Sequence, residues 1–191
     1  MSEKATRDVF GQTIKKLGEE FPNIVVLDAD LSVSTKSVVF AKAFPDRFFQ
    51  MGIAEANMVG TAAGLANTGF IPFACSFACF VTGRYETIRV SVGYSKSNVK
   101  IVGTHAGLGI GEDGYTQMGL EDMNVLRGLP GMTILNPCDE MTTQAAVRWA
   151  ATNEGPVYLR LTRQKLPAIH QSESAFQCGR GIIVKEGKDS K

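Results

Sequence analysis

Short runs of β-branched and apolar residues alternate with amphipathic stretches along this chain, and that alternation restricts the fold more than any other feature. Phe10, Ile14, Leu17 and Phe21 recur at helical spacing behind Thr6, which predicts a helix capped by the Thr6 hydroxyl. Pro22-Asn23 breaks that helix, and the β-branched run 24–27 reads as a buried strand. Further strands are expected at 48–51, 71–74, 99–103, 132–135 and 157–161. Helices are expected near 55–67, 120–127 and 140–151, and Val81, Tyr85, Ile88 and Val92 repeat the helical spacing. Strands separated by helices in this way build an α/β fold, a doubly wound and mainly parallel sheet with helices on both faces. Ligands of such sheets sit beyond the carboxyl ends of the strands, so the informative loops start at Asp28, Gly52, Cys75 and Thr104.

Composition narrows the classes of function. The chain has 191 residues, with 20 Lys and Arg against 19 Asp and Glu, and this near-neutral balance gives no electrostatic reason to expect nucleic acid or an anionic membrane as partner. The densest apolar stretch, 70–81, is shorter than the roughly 18 residues of a spanning helix. Met1-Ser2-Glu3-Lys4 is no apolar signal segment, and Cys75, Cys79, Cys138 and Cys178 read as reduced thiols, so a cytoplasmic location is expected. With His105 and His170 as the two histidines and no Cys-x-x-Cys pair, no metal site is expected in this chain. Residues 1–168 read as one domain. After Arg163 the chain turns polar, and 169–191 reads as a linker followed, at 181–185, by the first strand of a further domain that is not in this chain.

Three loops carry chemistry. Glu55 opens a helix directly after a strand and the segment Met51-Gly52-Ile53-Ala54. A glutamate there ordinarily serves the helix dipole or a capping bond. The helix behind it, however, carries Ala56, Gly60 and Gly64 on one stripe, which admits a second backbone close to that carboxylate. Phe73 reads as core, whereas Phe77 and Phe80 fit either a core or a pocket mouth. The third loop holds Gly107, Gly109, Gly111 and Gly114, and 109–114 fits the dinucleotide pattern G-x-G-x-x-G literally. Glu112 and Asp113 inside the pattern would repel a pyrophosphate, and no clear helix opens at the last glycine. A loop gathering His105, Asp113 and Gln117 around a small polar ligand fits better.

Five motifs in order, Ala5-Thr6-Arg7, Asp28-Ala29-Asp30-Leu31, Gly52-Ile53-Ala54-Glu55-Ala56-Asn57-Met58, Gly111-Glu112-Asp113-Gly114 and Leu161-Thr162-Arg163-Gln164, together resemble the pyrimidine-binding domain of transketolases over nearly the whole chain. The resemblance implies thiamine diphosphate as cofactor, with Glu55 hydrogen-bonded to its aminopyrimidine ring. A carboxyl group at that ring nitrogen favours the imino tautomer, whose nitrogen can accept the proton of the thiazolium carbon. The same resemblance implies that Phe80 stacks on the pyrimidine, that Phe77 is its neighbour, and that Asp30 and Gln117 lie near the cofactor. On the substrate side it implies that Arg7, Ser34, His105 and Arg163 grip a sugar phosphate, as two guanidiniums and a hydroxyl suit a dianion. Asp113 is implied to recognise a substrate hydroxyl, and His105 and Glu55 to act as catalytic residues.

Two positions depart from that pattern. Gly83 stands where some transketolases have another pocket aromatic, and Ala106 where an aspartate often follows the histidine. The chain also has no Gly-Asp-Gly element with a downstream asparagine, the element that binds Mg2+ and the diphosphate. The resemblance therefore implies one half of a split transketolase, inactive alone. Mg2+ would be bound by an N-terminal, diphosphate-binding partner subunit, within a heterotetramer in which this chain also associates with itself. The activity implied is transfer of a two-carbon ketol unit between sugar phosphates in carbohydrate metabolism, the pentose phosphate pathway. Deoxyxylulose-phosphate synthase shares the glutamate and the fold, but typically shows Asp-Arg-Ala-Gly where this chain has Thr104-His105-Ala106-Gly107. A non-catalytic assembly module is the alternative from another class.

Overall fold

A computed structural model describes residues 3–173 and 176–187. Six strands form one parallel sheet: β2 (Ile24–Asp28), β3 (Phe48–Gln50), β4 (Ile71–Phe77), β5 (Lys100–Thr104), β6 (Thr133–Leu135) and β7 (Val157–Arg160), in the order β3-β2-β4-β5-β7-β6. The central strands are buried on both faces, and alternate residues serve opposite layers. Ile24, Val26, Phe73 and Val102 meet α1 (Thr6–Glu20), α3 (Val38–Ala43) and α8 (Glu140–Thr152), while Val25, Leu27, Ala74 and Ile101 meet α4 (Glu55–Asn67) and α7 (Asp122–Leu126). This is the doubly wound architecture expected from the alternation. No helix among the described residues is long and apolar enough to cross a membrane.

Strand order places the site. The chain leaves β2 for β3 on one side and returns to β4 on the other, so the loops after β2 and β4 diverge and open a crevice at the carboxyl edge of the sheet. The loop after β2 carries the single turn α2 (Ser32–Thr35).

Several local expectations are corrected. Thr6 is the first helical residue of α1 and caps nothing; Ala5 precedes the helix with no side-chain cap. Its hydroxyl instead accepts from the Thr162 backbone N–H at 2.7 Å and meets Thr162 Oγ1 at 3.3 Å, a tertiary clasp that outcompetes the local bond. β4 runs on through Phe77, which pairs with Thr104, so the strand does not end before Ser76 as expected. The helical repeat from Val81 is three pieces: α5 (Ala78–Thr82), α6 (Tyr85–Ile88) and a π-helical stretch Arg89–Tyr94, interrupted at Gly83-Arg84. Segment 181–185 forms no strand here, and Ile183 and Val184 stand exposed. A two-stranded antiparallel ribbon of β1 (Glu3–Ala5) and β8 (Lys165–Pro167) has no sequence signal, since both strands are three residues long without alternation.

Gly103 marks the tightest approach in the sheet. A Cβ added there would overlap the hydroxyl of Tyr158 and lie 2.7 Å from its Cε2, and Tyr158 is fully buried with no room to swing. At Gly60 on α4 an added Cβ meets nothing among the described residues within 4 Å. Gly103→Ala is therefore expected to lower stability by about 1–3 kcal/mol through overpacking. Gly60→Ala, in the same urea titration, is expected to hold or raise the midpoint, because alanine is the better helix former. A Gly103→Ala midpoint equal to wild type would contradict the close Tyr158 approach.

Candidate active site

A buried carboxylate builds the first wall. Asp28, at the end of β2, is fully buried and accepts from Leu31 N at 2.6 Å, Thr35 Oγ1 at 2.7 Å and Ser37 Oγ at 2.8 Å. Burial pushes its pKa up, against those three bonds, which pull it down. The loop 31–37 is thereby wrapped around one side chain, and the wrapping presents Ser34 and Lys36 to the crevice. Asp30 takes a left-handed φ of 64° and is exposed, with its backbone N–H donating to Gln50 Oε1 at 2.7 Å.

The opposite wall comes from β5 and the glycine-rich loop. His105 follows β5 with φ 56° and is 2% exposed. Its ring stacks on Phe77 with centroids 3.7 Å apart, and Phe77 stacks in turn on Phe80 at 5.4 Å. The loop is pinned by backbone bonds: Ala106 N to Leu161 O, Gly107 N to Gly119 O, and Gly119 N to His105 O. Beneath it, Asp122 Oδ2 accepts from Tyr158 Oη at 2.6 Å and Arg160 Nε at 2.9 Å, and Arg160 Nη2 donates to Gly119 O at 3.1 Å. These bonds hold the backbone that gives His105 its unusual conformation.

Between the walls lies a cleft of about 390 Å³ lined by Arg7, Val33, Ser34, Lys36, Phe77, His105, Asp113, Gln117 and Arg163. Every residue expected at the substrate side lines it: Arg7, Ser34, His105, Asp113 and Arg163. So do Phe77 and Gln117, whereas Glu55, Asp30 and Phe80 do not. The Thr6–Thr162 clasp, with Arg7 N donating to Thr162 O at 3.3 Å, is what seats Arg7 beside the loop that bears Arg163.

Charge in the cleft is organised around a neutral imidazole. Arg7 Nη1 donates to Ser34 O and to His105 Nε2, each at 3.0 Å. An arginine can only donate, so Nε2 accepts and the ring proton lies on Nδ1, facing Thr104 Oγ1 at 3.0 Å. Thr104 in turn donates its own hydroxyl proton towards Ser76 O at 3.4 Å. Burial, and next the Arg7 charge, push the His105 value down to about 4. Burial also lowers the Arg7 value, and its Nε is sealed without a partner among the described residues. Arg163 is already engaged: Nη1 donates to Ile110 O at 2.6 Å and Asp113 Oδ2 at 3.1 Å, and Nη2 to Glu112 Oε1 at 2.7 Å. The two acids that disfavoured a pyrophosphate in the glycine loop thus hold this guanidinium.

Glu55 stands at the start of α4, 5% exposed. Its one hydrogen bond among the described residues is a long one, from Ser76 Oγ at 3.5 Å. A buried carboxylate so thinly partnered has acceptor capacity left for a ligand that donates. Ser76 joins the two regions, with its hydroxyl towards Glu55 and its carbonyl towards Thr104. Along α4 the stripe at Gly60 and Gly64 is open, with nothing among the described residues within 4 Å of an added Cβ.

Sequence reasoning assigns no role to Lys36, Thr104 or Ser76. Lys36 and Ser76 carry no local signal, and Thr104 shows its part only once the His105 tautomer is known. Nor does it foresee that Cys138, Asp139 and His170 come together, with potential ligand atoms within 4.8 Å of one another. Asp139 is occupied there as the cap of α8: Oδ1 accepts from Thr142 N and Oγ1, and Oδ2 from Ile169 N, His170 N and the His170 ring.

The depressed His105 value has a pH consequence. The unfolded histidine, at its ordinary 6.5, binds a proton that the folded ring refuses until about pH 4. This contribution is complete above pH 6.5 and is lost as pH falls to about 4. His105→Asn, which tolerates left-handed backbone, is expected to flatten the fall of the thermal midpoint over that window. Parallel curves for variant and wild type would contradict a neutral buried ring.

Known proteins share this sequence and fold. The model of the transketolase pyrimidine-binding domain matches residues 2–168. A Methanocaldococcus jannaschii protein named as a transketolase C-terminal section is 47% identical over 189 residues, 97% of this chain and 60% of that protein. Human transketolase is 40% identical over 186 residues, 97% of this chain and 30% of that protein. Among solved structures, a split gene transketolase described as an inactive β4 tetramer superposes with a TM-score of 0.87 at 50% identity, covering 98% of this chain and 61% of that one. A Pichia stipitis transketolase complexed with sedoheptulose 7-phosphate gives a TM-score of 0.83 at 28% identity over 92% of this chain and 28% of that one. The chain thus spans about three-fifths of the length of the C-terminal section and the split gene protein, and under a third of the full-length enzymes. On the family model and these relatives, the chain belongs to the transketolase pyrimidine-binding domain family.

Proposed function

We propose that this chain is the pyrimidine-binding component of a split transketolase, which moves a two-carbon ketol unit between sugar phosphates only when a partner subunit supplies the diphosphate and Mg2+ site. The observation that carries the reading is the convergence of Arg7, Ser34, His105, Asp113 and Arg163 on one cleft, with Glu55 buried and under-partnered nearby. Thiamine diphosphate, when bound, supplies the carbon that carries the ketol unit.

The residues present fit that cofactor. Glu55 offers a free acceptor for the pyrimidine nitrogen, and the Phe77–Phe80 stack offers flat apolar faces that exclude water. Gln117 and Asp30 would complete the polar surround. Arg7 and Arg163 would take the substrate phosphate, with Arg163 exchanging its carboxylate partners for the dianion. Neutral His105 Nε2 is held by a cation, so the ring orients Arg7 and presents no second positive charge. The open stripe of Ala56, Gly60 and Gly64 is where we place the partner or a second copy of this chain, because a backbone can approach there beside Glu55. That the split gene relative is described as an inactive β4 tetramer supports both self-association and inactivity without a partner.

The test is reconstitution with a subunit bearing Gly-Asp-Gly, together with thiamine diphosphate and Mg2+. Ketol transfer is expected from the mixture and from neither chain alone. Glu55→Ala is expected to lower kcat about 10²- to 10⁴-fold, the usual weight of a positioned acid–base group. Near-normal turnover in that variant would remove the mechanism, and failure of the mixture to bind thiamine diphosphate would favour an assembly module.

A further inference from the structure

Three cations line the cleft, and one keeps its donors free. Arg163 is held by Glu112, Asp113 and Ile110 O. Arg7 uses Nη1 on Ser34 O and His105. Lys36 lines the same cleft, and its Nζ has a single ion pair among the described residues, to Asp8 Oδ1 at 3.6 Å. That distance is too long for a hydrogen bond, and both side chains are part-exposed, so the pair is weak. The three ammonium protons remain available to an anion.

The backbone gives Lys36 up to this position against its ordinary preference. It closes α2 in the left-handed region, φ 70° and ψ 8°, where glycine or asparagine is the usual residue. Gly11 of α1 clears the space: a Cβ added there would lie 2.8 Å from both Lys36 Cβ and Lys36 O. A strained non-glycine residue, accommodated by a glycine of another element, lies on the wall that also presents Ser34. Strain of this kind is concentrated where a side chain is needed.

We propose that Lys36 is a third anion-binding cation of the cleft and sets its preference for dianionic, phosphorylated ligands over neutral sugars. The inference deepens the ketol-transfer reading and rests on it for the identity of the substrate, though not for the anion site itself. Arg7 and Arg163 offer planar forks, each already partly engaged within the chain; Lys36 adds a compact charge with free donors that can meet the phosphate oxygens the forks leave over.

Two measurements test it. In the reconstituted complex, kcat/KM is measured for a ketose phosphate and for the same ketose without its phosphate, in wild type, Lys36→Asn and Lys36→Arg. Asparagine tolerates the left-handed backbone, which keeps the variant folded. Lys36→Asn is expected to lower the phosphorylated-to-neutral ratio about tenfold, through KM, with Lys36→Arg restoring most of it. Equal losses on both donors, or none, overturn the proposal. Calorimetry with inorganic phosphate on the full chain alone reads the same charge without catalysis. Weaker phosphate binding by Lys36→Asn supports the anion site even if the complex shows no ketol transfer, an outcome that would sink the function and spare this inference. Phosphate binding that is undetectable in wild type, or unchanged in the variant, overturns it.

Discussion

A guanidinium donating into an uncharged imidazole is the interaction on which the cleft depends. Arg7 and His105 lie far apart in the chain, and their contact at 3.0 Å fixes the tautomer, the ring plane and the sign of the local potential together. Were the imidazole protonated, two cations would face each other in a half-buried cleft, and the Arg7 contact would turn from attraction to repulsion. Keeping the ring neutral leaves the cleft positive through its arginines and Lys36, and leaves the histidine as an acceptor and a stacking partner for Phe77.

Everything around that contact serves to hold it. Asp28 wraps the loop after β2, and Asp122 anchors Arg160 beneath the loop after β5. Thr6 and Thr162 bind the start of α1 to the segment after β7. Each is a buried or half-buried polar group satisfied by backbone or side-chain partners, as the interior of a tightly packed sheet requires. One of them is incomplete: Asp122 Oδ1 is sealed without a partner among the described residues. Glu55 is nearly so, and the difference is where each sits, one below the sheet edge and one beside an open helix face.

How much is legible in the sequence follows from the range of the forces involved. The parallel sheet can be read because buried strands and amphipathic helices repeat at their own periods. The gathering of Arg7, Ser34, His105, Asp113, Gln117 and Arg163 in one cleft can be anticipated because motif order, once recognised, maps onto consecutive strand ends. Thr6 looks like a cap because its partner, Thr162, is distant in sequence and no local pattern reports it. The ribbon of β1 and β8 is invisible for the same reason, its strands being too short to alternate. Phe77 fits both core and pocket on sequence grounds and serves both, paired in β4 and stacked on a cleft histidine. Lys36 escapes notice because a lysine in a polar loop looks like solvated surface until its backbone angle and the glycine across from it are seen together.

The ribbon at the margin of the sheet has a practical bearing on how such chains are cut and joined. Glu3–Ala5 pair with Lys165–Pro167, immediately outside Arg7 and Arg163. A boundary drawn just past Arg163 would retain every side chain of the cleft and still strip the antiparallel pair that ties together the two segments bearing its arginines. A cut that preserves the ribbon must therefore keep Lys165–Pro167 as well as Arg163.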